Sequence, residues 1–382
     1  MRKVPKLRFK EFSDEWKEKK LGEFGKISMC KRIMKDQTTL TGDIPFYKIG
    51  TFGKKADAYI DKKLFEEYKE KYSFPKKGDI LLSASGTIGR TVIYDGKPAY
   101  FQDSNIVWIA TNEKIILNSF LNYLYSNIKW TIENTTIARL YNDNLANMKV
   151  NIPFLQEQEK IANFLSSVDK KISLTEEKLE LFREYKKGVM QKIFSQELRF
   201  KDSNGNDYPE WEEKKIEDVF KITRGYVLSK NEMKEIKDKD FIYPVFSSQT
   251  LNNGLMGFYN KYLYENTITW TTDGANAGTV KFRSGKFYCT NVCGVLISDI
   301  YSNKCIAEIL ALEAPKHVSY VGNPKLMNNI MSKIKITIPV SLEEQKKIAD
   351  FLSSIDSKIE SIEKELERLK EFKKGLLQQM FV

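Results

Sequence analysis

QEKIANFLSSVDKKISLTEEKLELFREYKKGVMQKIF, residues 158–194, returns as QKKIADFLSSIDSKIESIEKELERLKEFKKGLLQQMF, residues 345–381, and 20 of the 37 aligned positions are identical. In the first copy Leu165, Val168, Ile172, Thr175, Leu179 and Phe182 step by three and four. In the second, Leu352, Ile355, Ile359, Ile362, Leu366 and Leu369 do the same. That is the a/d spacing of a coiled-coil seam, with Glu and Lys on the other faces. It predicts two helices of ~40 residues, each about 60 Å long at 1.5 Å per residue. A seam this narrow needs a partner, and the other copy is the obvious one. Ile161, Phe164, Tyr185 and Val189, with Ile348, Phe351, Phe372 and Leu376, widen the apolar surface near the ends. A duplicated second surface of that kind suits two identical partners, or packing onto the rest of the chain.

Working outward, the duplication continues. Leu7-Arg8-Phe9-Lys10 recurs as Leu198-Arg199-Phe200-Lys201, and the run Trp16 to Leu21 recurs as Trp211 to Ile216. Lys26-Ile27 returns as Lys221-Ile222. The lead-in Val150-Asn151-Ile152-Pro153 returns as Ile336-Thr337-Ile338-Pro339. Each half therefore holds a short lead-in, a long divergent middle and a near-duplicate helix. The frame has a circular character. Leu-Arg-Phe follows the first helix at 198–200, but its counterpart to the second helix stands at 7–9. We expect a pseudo-twofold molecule with its termini close together, the helices antiparallel, and a polar stretch containing Glu157 or Glu343-Glu344 at each positive helix start. The domains read as 1–153, 154–195 (helix), 196–339 and 340–382 (helix).

The middles share only scattered features. Strand-like runs occupy 45–49, 79–83, 91–94 and 106–110 in one, and 243–247, 267–271, 278–282 and 294–298 in the other. A Gly-bearing loop follows a strand in each, at 83–90 and 271–278. A Gly-centred turn follows it, at 95–97 or 284–286, and then a polar stretch, at 102–105 or 290–291. The glycine spacing matches neither a P-loop nor a dinucleotide fingerprint. Ser, Thr, Asn, Gln and Arg reach base edges and phosphates, so these loops are candidate DNA-facing segments or else ordinary turns. The residues singled out are Ser83, Ser85, Thr87, Arg90, Gln102 and Asn105 in the first middle, with Lys31, Arg32, Arg139, Tyr141 and Asn142. In the second they are Arg224, Tyr226, Thr271, Thr272, Asn276 and Asn291.

The chain has 382 residues and a formal net charge of +11, which leans toward a polyanionic partner. The start is charged and has no apolar signal-peptide core, and no run is long enough to span a bilayer, so a cytoplasmic protein with no membrane partner is expected. Four cysteines are too few and too unevenly spaced for a disulfide framework, and read as reduced, mostly buried thiols. With one histidine, His317, the chain is poorly equipped for a zinc site or for Ser/His or Cys/His catalysis. No Walker A motif is present, and Gly322-Asn323-Pro324-Lys325 is no adenine-methyltransferase motif. Glu212-Glu213-Lys214 alone is weak grounds for a nuclease. The chain reads as a binding device.

The order of variable domain, Ile152-Pro153, Glu157-Gln158, Ile161-Ala162, Phe164-Leu165 and long helix, repeated at Ile338-Pro339, Glu344-Gln345, Ile348-Ala349 and Phe351-Leu352, resembles the specificity subunit of type I restriction–modification enzymes. The resemblance covers essentially the whole chain. It implies an α/β (α+β) fold: two mixed α/β target-recognition domains joined by two long antiparallel helices in a coiled coil. It implies that each domain reads one half of a bipartite, asymmetric double-stranded DNA target, and that the helices set the gap. Two modification subunits carrying S-adenosylmethionine would dock on the helices, with restriction subunits adding ATP- and Mg2+-dependent cleavage. This chain would bind no cofactor and no metal, and would not be an enzyme itself. Two other readings stay open: an adaptor with two interaction domains on a coiled coil, and a stand-alone nuclease.

Overall fold

The computed structural model describes residues 4–130, 140–248 and 251–382. By contacts the chain divides into two units, residues 1–177 with 363–382, and residues 178–362. Both boundaries fall inside long helices, Leu155–Phe194 and Leu342–Met380. Each unit thus combines the start of one long helix with the end of the other.

In the first unit a lead-in strand Lys17–Lys20 pairs antiparallel with Lys149–Ile152, closing the variable middle into a loop. Inside it an antiparallel sheet runs in the order Gly25–Ser28, Ile106–Thr111, Ile80–Ser83, Thr91–Ile93. A second sheet runs Thr38–Thr39, Tyr59–Ile60, Ile44–Tyr47, Tyr100–Phe101, its last pair parallel. Helix Asn118–Tyr125 buries Phe120, Leu121, Leu124 and Tyr125 in the same core as Trp16, Leu165, Val168, Leu376 and Phe381. The second unit repeats the closure with Glu212–Lys215 against Lys335–Ile338. Its strands form a single six-stranded sheet: Lys221–Arg224, Cys293–Ile297, Tyr264–Thr271, Val280–Cys289, Tyr243–Phe246, Leu255–Tyr259. All four cysteines are free and buried. Among the described residues no helix is long and apolar enough to cross a membrane.

The difference between two sheets and one has a local cause. Strand Val280–Cys289 runs for ten residues and belongs to both layers. In the first unit the same stretch is cut into Thr91–Ile93 and Tyr100–Phe101. Between them lie Gly96, at φ +88°, and Pro98, which has no N–H to give a ladder. The sequence predicts a turn at 284–286 as well. Instead Gly285 sits in a β-bulge: Ser284 and Gly285 face the single residue Asn266, whose side chain accepts from the Gly285 N–H at 2.7 Å.

The helices meet antiparallel in each unit. In the first, Asp169 pairs with Lys373 at 2.5 Å and Glu176 with Lys370 at 2.6 Å. In the second, Lys186 pairs with Asp356 at 2.8 Å. The apolar stripe is the buried one: Leu165, Val168, Thr175, Leu179, Leu352, Ile355 and Ile362 are all below a tenth exposed. Ile172, Phe182, Ile359, Leu366 and Leu369 are half-buried at its margin. Tyr185 and Phe372, aligned in the two copies, are instead 51% and 52% exposed.

Glu157-Gln158 and Glu344-Gln345 hold the start of each helix, with all four side chains buried. Arg8 donates from Nε and Nη2 to the two carboxylate oxygens of Glu157, both at 2.7 Å. Arg199 reaches Glu344 in the same way at 3.2–3.3 Å. Gln158 donates to the Pro153 carbonyl at 2.9 Å, and Gln345 to that of Pro339 at 2.7 Å. The circular expectation takes a definite form here. The Leu198 N–H, four residues past the helix end at Phe194, donates to the Lys192 carbonyl at 2.9 Å, and the Leu7 N–H makes the same bond to Gln379, also at 2.9 Å.

Candidate nucleic-acid interface

The loops after strands Ile80–Ser83 and Tyr264–Thr271 differ in sequence and agree in construction. Ser83 exchanges backbone bonds with Gly89 and Arg90, as Thr271 does with Gly278 and Thr279. Gly89 and Gly278 take φ of +90° and +83°, a left-handed conformation that only glycine adopts cheaply. Both are also crowded: a Cβ would lie 2.1 Å from the Trp130 ring in one and 2.7 Å from Val318 Cγ2 in the other.

One residue in each loop gathers the neighbouring segments. Ala84 donates its N–H to the Asn105 carbonyl at 2.8 Å and accepts from the Leu140 N–H at 2.8 Å. Thr272 donates to Val292 at 3.0 Å and accepts from Leu326 at 2.9 Å. A side chain of each loop then grips a neighbouring strand end. Arg90 Nη2 donates to the Ile49 carbonyl and Asn276 Nδ2 to that of Ser248, each at 2.8 Å. Lys31 joins the first cluster through the Tyr100 hydroxyl on its carbonyl at 3.0 Å, and Arg32 through Asp103 at 2.8 Å. Arg224 and Tyr226 join the second: the Gly225 and Tyr226 N–H groups donate to Cys293 and Cys289.

The singled-out residues therefore fall into two groups. Ser83, Ser85, Thr271 and Thr272 are buried. The Ser83 hydroxyl donates to the Thr87 carbonyl at 2.6 Å, that of Ser85 to Asn105 Oδ1 at 2.7 Å, and that of Thr272 to Val292 at 3.1 Å. Gln102 accepts from the Ile49 N–H at 2.9 Å. With Arg90, Asn105 and Asn276, these residues shape the loops from inside. Lys31, Arg32, Thr87, Tyr141, Asn142, Arg224, Tyr226 and Asn291 are exposed. Arg139 lies outside the described residues. Glu213 of the Glu212-Glu213-Lys214 run pairs with Lys335 across the lead-in sheet at 2.7 Å.

Sequence reasoning missed one segment. Met327 and Asn328 stand where Tyr141 and Asn142 stand in the first half. Leu140 and Leu326 make the equivalent backbone bond. The signal was present, since each leucine precedes its Ile-Pro by the same interval; nothing else in the two stretches is alike enough to draw the eye.

Comparison with known proteins adds the following. A family model described as the type I restriction modification DNA specificity domain matches residues 13–181 and again 208–371. A type I restriction enzyme specificity subunit of Haemophilus influenzae is 62% identical over 150 residues, 39% of this chain and 39% of that one. The match thus spans about two-fifths of that relative's length. A Mycoplasma pneumoniae type I specificity subunit N-terminus is 43% identical over 145 residues, 37% of this chain and 75% of that one. Among solved structures, the S subunit of a type I restriction-modification system from M. genitalium superposes with a TM-score of 0.70 at 18% identity, covering 99% of both chains. A chain from a structure of type I R-M complex assembly and conformational transition gives 0.52 at 14% identity, covering 96% of this chain and 97% of that one.

Proposed function

The chain belongs to the type I restriction modification DNA specificity family, and from that premise we propose that it selects a bipartite double-stranded DNA target for catalytic partners. Each variable middle reads one half of the target through its gathered loops, and the exposed residues among those singled out meet bases and phosphates. The observation that carries this reading is the contrast within each half: a duplicated frame holds two clusters of equivalent loops whose exposed residues differ. A frame kept constant with its outward residues changed is what reading two unlike half-sites requires.

The paired helices set the gap between half-sites. Half-sites on one face of a duplex lie about one turn apart, roughly 34–36 Å, a span that helices of 40 and 39 residues exceed. Two modification subunits carrying S-adenosylmethionine dock on the duplicated helix surface, where Tyr185 and Phe372 leave apolar area uncovered. Restriction subunits supply ATP- and Mg2+-dependent cleavage within the same complex. Chemistry resides on those partners in the cytoplasm, and this chain supplies the address.

The test is to remove about one helical turn, four residues, from matched positions of both helices and to sequence the methylome of a host carrying the variant. A shorter gap between unchanged half-sites supports the reading; an unchanged gap overturns the spacer role. Loss of all methylation by wild-type complex on chromosomal DNA overturns the address role itself.

A further inference from the structure

In the second unit, strands Tyr264–Thr271 and Val280–Cys289 border a cleft of about 170 Å³, lined among others by Ser247, Asn253, Thr271, Asn276, Lys281 and Arg283. A single water needs only about 10–15 Å³, so there is room for a hydrated group. Lys281 and Arg283 are two apart on one strand and share a face. They converge on one residue: Lys281 Nζ donates to Asn253 Oδ1 at 2.6 Å and Arg283 Nη1 to the Asn253 carbonyl at 2.9 Å. Arg283 Nε also donates to Thr269 Oγ1 at 3.2 Å, and the guanidinium lies 3.8 Å from the Phe246 ring centre.

What is missing is a counter-charge. Neither cation forms an ion pair with a carboxylate among the described residues. The carboxylate that acts on Lys281, Glu308, is bound to Lys186 at 3.4 Å. Burial and then the neighbouring Arg283 push the Lys281 ammonium below its usual value, and burial pushes the Arg283 guanidinium down to about 10. Two like charges partly withdrawn from water, with only neutral acceptors bonded to them, are unfavourable in the free protein and become favourable when an anion enters. A fork-shaped guanidinium beside a point-charge ammonium suits a multi-oxygen anion. The equivalent positions of the first unit, Val92 and Tyr94, carry no charge. Tyr94 there is buried among Phe74 and Phe101.

We propose that the Lys281–Arg283 cleft binds one phosphate group and that, granted the DNA-reading role above on which this part rests, the group is a backbone phosphodiester seated beside the 271–278 loop. The chemistry is shared with free phosphate, so the test has two arms. In the first, thermal unfolding of the full chain is followed in inorganic phosphate and in chloride at matched ionic strength. Phosphate should raise the midpoint of the wild type, and the rise should shrink or vanish in Lys281→Met/Arg283→Met. Lys281→Gln, which keeps most of the stem, gives a milder variant should the double one fail to fold. In the second arm, the complex with its modification subunits is titrated with salt on the methylated sequence and on a scrambled duplex. The log–log slope should fall by about 0.9 in the variant for the one phosphate lost, equally on both duplexes. Lost phosphate protection with an unchanged slope would assign the cleft to free phosphate and overturn its DNA role. No loss in either arm overturns the site altogether. If wild-type complex binds no duplex, the DNA reading fails, while the first arm still decides whether the cleft takes phosphate.

Discussion

Positions 92 and 94 in the first unit and 281 and 283 in the second occupy the same place in the fold, and the two units line that place in opposite ways. In the first, Tyr94 packs edge-on against Phe101 and Phe74, and Tyr47 stacks on Phe101 at 5.8 Å. In the second, Phe246 stands where Tyr47 does and Cys289 where Phe101 does, as the parallel pairings Tyr47 with Phe101 and Phe246 with Cys289 fix. The first unit has a cavity of about 410 Å³ at this place, lined among others by Tyr47, Val92, Tyr94 and Phe101, whereas two cations line the second unit's cleft. The backbone bonds around the adjacent loops are the same in both. The comparison teaches that the scaffold of a recognition unit constrains main-chain pairing and one crowded glycine, while the filling of the layer is free to change character.

Exchange across the comparison gives the largest expected effect. Tyr94→Arg places a charge where the wild-type side chain is 6% exposed. An uncompensated buried charge costs about 3–5 kcal/mol and the lost aromatic packing adds to it, so upwards of about 5 kcal/mol is expected. The reverse exchange, Arg283→Tyr, relieves a like-charge pair and sacrifices two hydrogen bonds, and should stay within about 1 kcal/mol of the wild type. Urea unfolding, with each unit followed by its own probe, checks both. Equal costs would mean that the two places are equivalent after all.

Next in size is the anchor that both units share. Arg8→Met leaves Glu157, 2% exposed, without its bidentate partner, and should cost about 3–5 kcal/mol. Arg199→Met does the same to Glu344, but its wild-type bonds are longer and Leu198 stays tethered to its helix through residues 195–197. The penalty should therefore be smaller. In the first unit the segment carrying Arg8 is held to the helix end by packing and by the Leu7 bond to Gln379, with no covalent link. Equal loss of midpoint in the two variants would show that the tether contributes nothing.

These anchors mark the limit of what was legible in the sequence. The helix repeat, its seam and the circular frame were readable because 3.6-residue periodicity and duplication are local signals. Glu157 and Glu344 stood out as helix-start acids, yet their bonds to Arg8 and Arg199 span about 145–149 residues and leave no local trace. Loop residues were harder for a different reason. Ser83 and Thr271 have the composition of DNA-facing residues, but the same hydroxyl that can meet a phosphate can bond the chain's own carbonyl, and burial decides between the two. The Lys281–Arg283 cleft was invisible because charges two apart on a strand signal a shared face, not whether that face is wet.

A third contrast concerns Gly89 and Gly278. A left-handed non-glycine costs about 1–2 kcal/mol before any clash, so Gly89→Ala and Gly278→Ala should each destabilise their own unit. Gly278→Ala should cost more, because its Cβ also meets the Pro315 backbone at 3.2 Å, while at Gly89 the nearest atoms all belong to the Trp130 side chain. Hydrogen exchange of the 83–90 and 271–278 amides reports each loop separately. A smaller effect at Gly278 would mean that the loop and Pro315 move apart easily.

The smallest effect tests whether the matched exposed residues read different letters. Tyr141 and Met327 sit at the start of equivalent short helices, Asn142–Asn147 and Asn328–Met331, and are 48% and 41% exposed. Neither side chain supports the core, so alanine at either position should leave stability within about 0.5 kcal/mol of the wild type. Both are uncharged, so the salt dependence of DNA binding should not move either. What should move is base preference, by about 1–3 kcal/mol at one base pair, in one half-site for Tyr141→Ala and in the other for Met327→Ala. Methylome sequencing of each variant resolves this, because relaxed preference appears as extra methylated sites differing at a single position. Extra sites scattered over both half-sites in either variant would mean that the clusters do not read separately, and the division of labour between the two units would have to be abandoned.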